Sequence, residues 1–556
     1  MIQPLKTFIA IELNYPVFLV SNPHRSLTNT DVLLMDGIAR PLVSGDIQVP
    51  QLDPFCPICL VGFHGRTVAP VVVKTQCCGK HFDLDCILTY FVDHPIGARR
   101  CAMCRQNPMP VVNLNSGESH PDTFFPDQTF YRACFERNLD QVNMSLEEGV
   151  NVNVHNITHD HFTPLMMASL GGHKTVVECL ISAGANLNAV CKIGATSLFM
   201  AAQKNNIDCL QALIEAGANV NAACPDGATP LTIAAEMGNI ECVKALIEAR
   251  ADLNVRTRHG ATPLFIAAAR GHTECVQALI NAKVDLNAQT KHGKTPLFIA
   301  AARGHTHCVK ALIEAKANLN APTGDGATPL FIAAGKGNTG CVKALINNGA
   351  DINAARTSDG VTPLFIAAQE NNIDTLQALI EAKADLNAAR TSDGLTPLSI
   401  AAQENNTDCV KILIEAKADL NAPCSNGATP LFRACQENNT DCVKALIEAE
   451  ADLNLPLSDG TTPLHLAAEE NNTDCLQALI EARADLNART KAGATALFVA
   501  CLNNNVDCVK ALINAGADLN FALSEDGTTP LSIATEMGHT DCVKVLTEAG
   551  ARATAV

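Results

Sequence analysis

Along most of the chain, apolar and polar positions recur in one long cadence. The phrase GATPLFIAA and its variants returns with its Thr at 163, 196, 229, 262, 295, 328, 362, 396, 429, 462, 495 and 529. The spacing is 33 residues, or 34 where the connecting segment gains one, as in NAARTSDG. Thr-Pro predicts a helix start, because proline at the first helical position gives up an N–H that has no partner there anyway. The LFIAA that follows supplies this helix with its inner apolar face. RGH, KGN or QENN then predicts a break, since Gly and Asn accept left-handed backbone angles. A second helix follows, such as DCVKALIEA, whose Cys, Val, Leu and Ile form one apolar stripe. The chain crosses to the next unit through ADLNA and a turn containing Asp-Gly. One such pair cannot bury its faces alone, but a stack of copies can. An atypical copy, TFYRACFERNLDQVNMSLEEGVNVN at 129–153, precedes the first full one, so 129–556 is read as a degenerate cap plus twelve repeats.

Composition supports packed helices over aromatic-rich sandwiches: 47% of the 556 residues are apolar, yet Trp is absent and Tyr occurs three times. Residues 1–128 carry 9 Lys/Arg against 11 Asp/Glu, whereas the remainder carries 31 against 46. Such an acidic surface repels phosphate backbones, so nucleic acid is not an expected partner. The apolar stretch TFIAIELNYPVFLV at 7–20 is interrupted by Glu12, Asn14 and Pro16 and is too short for a membrane span. It also lacks the basic start and small-residue cleavage site of a signal peptide. With 24 cysteines and no secretory signal, a reducing compartment is expected, with thiols or metal ligands and not disulfides.

The repeat resembles the ankyrin repeat, whose hallmark is G-x-TPLHxAA at a 33-residue period, over about 129–556. The resemblance implies a mainly α fold, a solenoid of helix pairs and short β-hairpins that binds proteins through its hairpin tips and the exposed side of its first helices. The sequence departs from the family after the second helix, where Gly is usual. Seven units instead carry Arg250, Lys283, Lys316, Lys383, Lys417, Glu450 or Arg483. A side chain in left-handed geometry costs roughly 1–2 kcal/mol, so the middle of the array is expected to be soft.

Ten second helices place Cys at one spot: 209, 242, 275, 308, 341, 409, 442, 475, 508 and 542. Packed helices lie about 8–10 Å apart and a disulfide needs Cα atoms within about 7 Å. These cysteines are therefore read as small buried hydrophobes, where Val176 and Thr375 stand in the other two units. Within the acidic array, Arg256, Arg258, His259, Arg270, Lys291, His292 and Arg303 form a basic island. It is a candidate contact for an acidic patch on a partner protein.

A second pattern lies ahead of the array. CPIC (Cys56, Cys59), then QCCGKHFDLDC at 76–86, then CAMC (Cys101, Cys104) supply about eight metal ligands in order. Seven cysteines with a His and an Asp at these spacings suit two tetrahedral zinc ions, which would staple a segment with little core. The series CPICL, CCG-x-x-F, a Cys followed by Ile-Leu, and C-x-x-CR resembles a RING finger over 56–105.

That resemblance implies a small α/β domain at 51–110 whose first and third ligand pairs share one zinc while the second and fourth share the other. Cys56, Cys59, Asp83 and Cys86 would hold the first; Asp83 stands where Cys is usual. Cys101 and Cys104 would hold the second with two of Cys77, Cys78 and His81; Lys80 occupies the place where His is common. It further implies ubiquitin ligase activity. Ile58, with Leu88 or Phe91, would dock a ubiquitin-conjugating enzyme, and Arg105 would clamp its donor ubiquitin. Ala102 replaces a common Pro, and the frequent Trp of the central helix is absent. On this reading 1–50 is a segment without a motif, 111–128 is a linker, the array selects a protein substrate, and the setting is cytoplasmic, including a host cytoplasm for a delivered protein. The alternative is a non-enzymatic scaffold whose zinc is structural.

Overall fold

The computed structural model describes residues 72–76, 80–83, 87, 109–114, 116, 119–120, 128–155, 161–523 and 527–553. The chain divides into two compact units: Met1–Ala201 with Asp208–Asn219, and Ala202–Ile207 with Val220–Val556.

In the first unit, β1 (Val72–Thr75), β2 (His81–Asp83), β3 (Val111–Asn113) and β4 (Ser119–His120) form a sheet in the order β2-β1-β3-β4. All three pairings are antiparallel, with Val73 opposite Phe82 and Asn113, and Lys74 opposite His81 and Val112. Val73, Phe82 and Val111 are fully buried. Residues 111–120, expected as linker, thus carry two strands of this sheet, and β-branched Val111 and Val112 suit that role.

The atypical copy is a true helix pair, Gln128–Glu136 and Leu139–Glu147. It buries Phe130, Tyr131, Cys134 and Val142, and the Tyr131 hydroxyl donates to the Val154 carbonyl at 2.6 Å. The two repeats behind it give the helices Pro164–Gly171, Lys174–Ser182, Ser197–Gln203 and Ile207–Glu215.

The second unit repeats one construction. Thr262 sits in extended geometry (φ −94°, ψ 164°), its Oγ1 accepts from the Phe265 amide at 3.2 Å, and Pro263 opens the helix Pro263–Arg270. This satisfies one of the four orphan N–H groups of a helix start. Leu264, Phe265, Ile266, Ala267 and Ala268 are buried, the alanines allowing first helices of successive repeats to pack closely. Gly271, at φ 80°, ends the helix. The second helix, Thr273–Asn281, buries Cys275, Val276 and Leu279. Lys283 then turns the chain at φ 61°. All seven non-glycine residues singled out at this place have positive φ, from 59° at Arg250 to 70° at Lys316.

Two ladders tie the repeats together. Asn254 Oδ1 accepts from the Asp285 amide at 3.3 Å, Asp285 Oδ1 from Asn287 N at 2.9 Å, and Asn287 Oδ1 from Asn318 N at 2.8 Å. The same alternation continues to Asn520, which accepts from Arg552 N at 2.8 Å. Neighbouring hairpin tips also join, Lys291 N donating to His259 O and Gly324 N to His292 O, each at 3.2 Å. Where a hairpin is one residue longer, Arg356 and Arg390 lie 4.8 and 5.2 Å over the Phe331 and Phe365 rings. Their Nε atoms donate to Asp359 and Asp393 at 3.0 and 2.9 Å.

Candidate functional site

Of the sequence-derived metal ligands, two lie on described backbone, both in β2: His81, buried opposite Lys74, and Asp83 opposite Val72. Cys56, Cys59, Cys77, Cys78, Cys86, Cys101 and Cys104 lie outside the described residues, as do Ile58, Leu88, Phe91 and Arg105. In sequence, Cys77 and Cys78 fall in the connection between β1 and β2, which Thr75 N closes by donating to Lys80 O at 3.1 Å. Among the described residues, no group of three or more His, Cys, Asp or Glu is placed to hold a metal ion. Sulfur, imidazole and carboxylate are donors that zinc accepts, and β2 carries His81 and Asp83 three and five residues after Cys78.

The basic island spans two hairpins and two helix ends, and its residues divide by what they touch. Arg258, His259, Lys291 and His292 are exposed on the hairpins, and Arg303 is exposed at the end of the helix Pro296–Arg303. Arg256 reaches across to the next hairpin, its Nη1 donating to Gln289 O at 2.7 Å. Arg270 Nη2 donates to Glu236 Oε1 of the preceding repeat at 2.6 Å. Those two side chains hold repeats together, so the surface offered to a partner is narrower than the seven-residue list.

The cysteine ladder is buried as expected, and its ten thiols are free. Burial raises Cys209, Cys275, Cys409 and Cys508 to about 11 and Cys242 to about 12. They are protonated donors and poor nucleophiles. Sequence reasoning missed their partners. Asn405, Asn438 and Asn471, themselves at left-handed φ, accept from Cys442, Cys475 and Cys508 of the next repeat at 3.6, 3.3 and 3.5 Å. A threonine at the start of the preceding second helix is a further partner: Thr273 Oγ1 lies 3.4 Å from Cys308 Sγ, Thr306 Oγ1 3.5 Å from Cys341 Sγ, and Thr407 Oγ1 3.4 Å from Cys442 Sγ. Thr375, replacing Cys, meets Thr339 Oγ1 at 2.9 Å.

No helix among the described residues is long and apolar enough to cross a membrane.

The family described as "Ankyrin repeats (3 copies)" matches residues 130–224, 221–290, 264–356, 353–424, 419–490 and 483–556. The chain is similar to the Mus musculus "Arf-GAP with coiled-coil, ANK repeat and PH domain-containing protein 2", 32% identical over 105 residues, which is 16% of this chain and 14% of that protein. The Homo sapiens protein of the same name is 40% identical over 63 residues, 11% of this chain and 8% of that protein. The matches thus span a small part of these relatives' own length. Among solved structures it is similar to "Crystal structure of human ASB11 ankyrin repeat domain", with TM-score 0.38 and 31% identity, covering 40% of this chain and 99% of that one. With family matches overlapping from residue 130 to residue 556, the chain belongs to the ankyrin-repeat family, and its array is a protein-interaction scaffold.

Proposed function

We propose that this scaffold serves a RING-type ubiquitin ligase, in which residues 51–110 recruit a ubiquitin-conjugating enzyme and the array presents a protein substrate. The observation that carries the reading is the ordered series CPIC, CCGKHFDLDC and CAMCR, whose cysteines stand apart from the repeat ladder. Cys56, Cys59, Asp83 and Cys86 would hold one zinc ion, and Cys101 and Cys104 another with two of Cys77, Cys78 and His81. The zinc ions supply folding free energy and no step of the transfer. Ile58, Leu88 and Phe91 would offer apolar contacts to the conjugating enzyme. Arg105, a planar and permanently charged donor, suits a bridge between enzyme and ubiquitin. Held in one reactive conformation, the ubiquitin thioester is attacked by a substrate lysine, so the chain needs no nucleophile of its own and acts by positioning.

The competing reading is a non-enzymatic scaffold, supported by the fact that the family match covers the array alone. Incubating the full chain with ubiquitin, activating enzyme and a panel of conjugating enzymes separates the two. The ligase reading expects chains that vanish in Ile58→Ala and in Arg105→Ala, both proteins retaining their zinc. Zinc-loaded protein that builds no chains with any conjugating enzyme establishes the scaffold.

A further inference from the structure

The residue eight positions after each Thr ends the first helix, and in the second unit its charge follows an order. It is Arg270, Arg303 and Lys336 in three successive repeats, then Glu370, Glu404, Glu437 and Glu470 in the next four. The sign changes once, between units that are otherwise nearly copies: TPLFIAAGK is followed by TPLFIAAQE. Side chains at all seven positions are exposed. Since first helices of successive repeats pack against each other, equivalent positions form a row. The hairpin tips follow the trend in part, His259 and His292 giving way to Asp325, Asp359, Asp393, Asn426 and Asp459, of which Asp359 and Asp393 are paired with Arg356 and Arg390.

Local stability does not account for the acidic half. The carbonyl end of a helix carries partial negative charge, which favours Arg or Lys and opposes Glu. Glu370, Glu404, Glu437 and Glu470 all stand at C-caps, against that field. Glu404 feels the Arg390 guanidinium and accepts from Gln403 Nε2 at 3.3 Å, but among the described residues none of the four glutamates is in a salt bridge. A surface that sets four like charges against their helix ends, next to a stretch of the opposite sign, complements a ligand with the same arrangement inverted.

We infer that this row is the docking track for an extended polypeptide whose charge is split into blocks, an acidic stretch lying along Arg303 and Lys336 and a basic stretch along Glu370 to Glu470. Seven repeats at helix-packing distance span roughly 50–60 Å, the length of about 15–18 extended residues. The single sign change fixes the direction of the bound segment and rejects sequences that mix their charges. The inference rests on the array as a protein-binding surface and is independent of ubiquitin chemistry.

The test uses the full chain and two fluorescent peptides of one composition. One has a run of about eight Glu joined to a run of about eight Lys, and the other alternates Glu and Lys. Anisotropy in low salt is expected to show the block peptide binding about tenfold or more tightly than the alternating one, with the difference shrinking as salt screens it. Arg303→Glu with Lys336→Glu, or Glu404→Lys with Glu437→Lys, should weaken the block peptide. Combining all four should recover binding, because the peptide can then lie the other way round. Exposed sites leave the helices intact, checked by circular dichroism. Equal binding of the two peptides, or indifference to both pairs, overturns the proposal. So does a salt-sensitive dimer in sedimentation that either pair dissolves, which would assign the track to a second copy of the chain.

Discussion

Arg270 Nη2 lies 2.6 Å from Glu236 Oε1, joining two repeats through a carboxylate that is 7% exposed. The equivalents of Glu236 in the next two repeats are Ala269 and Ala302, so the stack itself does not need the pair. Removing one partner is another matter, because it strands a buried charge. Arg270→Ala is expected to cost about 1–3 kcal/mol, below the range for fully buried pairs because the Arg270 side chain is 35% exposed. Adding Glu236→Ala should return most of that loss. Urea unfolding of the two single variants and the double one gives the coupling, and additive losses would contradict it.

The seven non-glycine residues that turn the chain after second helices identify strain that can be released. Lys283→Gly relieves a left-handed side chain at φ 61°, while glycine gives back part of the gain through unfolded-state entropy. The net should be about 0.5–1 kcal/mol of stabilisation per site. Amide exchange should report weaker protection at Lys283, Lys316, Lys383, Lys417, Glu450 and Arg483 than at the turns closed by Gly184, Gly217 and Gly516. Uniform protection along the array would remove the argument.

What could be read from sequence is what depends on neighbours in the chain. Pro263 as first helical residue, Lys283 as a left-handed turn and Cys275 as a buried side chain each follow from a few adjacent positions, and the structure has all three. Contacts between repeats were not legible. Asn405 with Cys442, Arg356 over Phe331, and Glu236 with Arg270 join residues far apart in sequence, and their meeting depends on how helices stack. Of the basic island, sequence supplied the charges but could not tell that Arg256 and Arg270 are spent on neighbouring repeats. β3 and β4 were missed because two- and three-residue strands leave no periodicity to find.

The thiol ladder should be chemically quiet. With Cys242 raised to about 12 by burial, thiolate at pH 8 amounts to about one molecule in ten thousand. Native protein should therefore react with iodoacetamide at the ladder far more slowly than urea-unfolded protein, as counted by mass spectrometry. Cys442→Ala, which removes the sulfur and its contacts to Asn405 and Thr407, should cost about 1–2 kcal/mol. Cys442→Thr should cost less, because Thr375 already fills this place with a threonine partner.

His465, buried in the first helix Pro463–Glu469, offers a titratable test of packing near neutral pH. It is 1% exposed; its Nδ1 accepts from Thr462 N at 3.2 Å and its Nε2 donates to Ala494 O at 3.0 Å. Both ring nitrogens are thus used in the neutral form, Nδ1 lying 2.8 Å from Thr462 Oγ1 as well. Burial, the largest influence, lowers its pKa despite the hydrogen bonds to Ala494 and Ala488 that oppose this. A histidine depressed in the folded state stabilises fully above its unfolded value near 6.5 and loses that contribution as pH falls below it. Going from pH 7.5 to pH 5 should therefore cost the wild type stability through this residue. His465→Phe adopts the side chain present at Phe365, Phe432 and Phe498, and should show a correspondingly smaller loss over the same interval. All other titrating groups are common to both proteins, so the difference between their urea midpoints at the two pH values isolates His465, and equal acid sensitivity would show that its proton is not excluded.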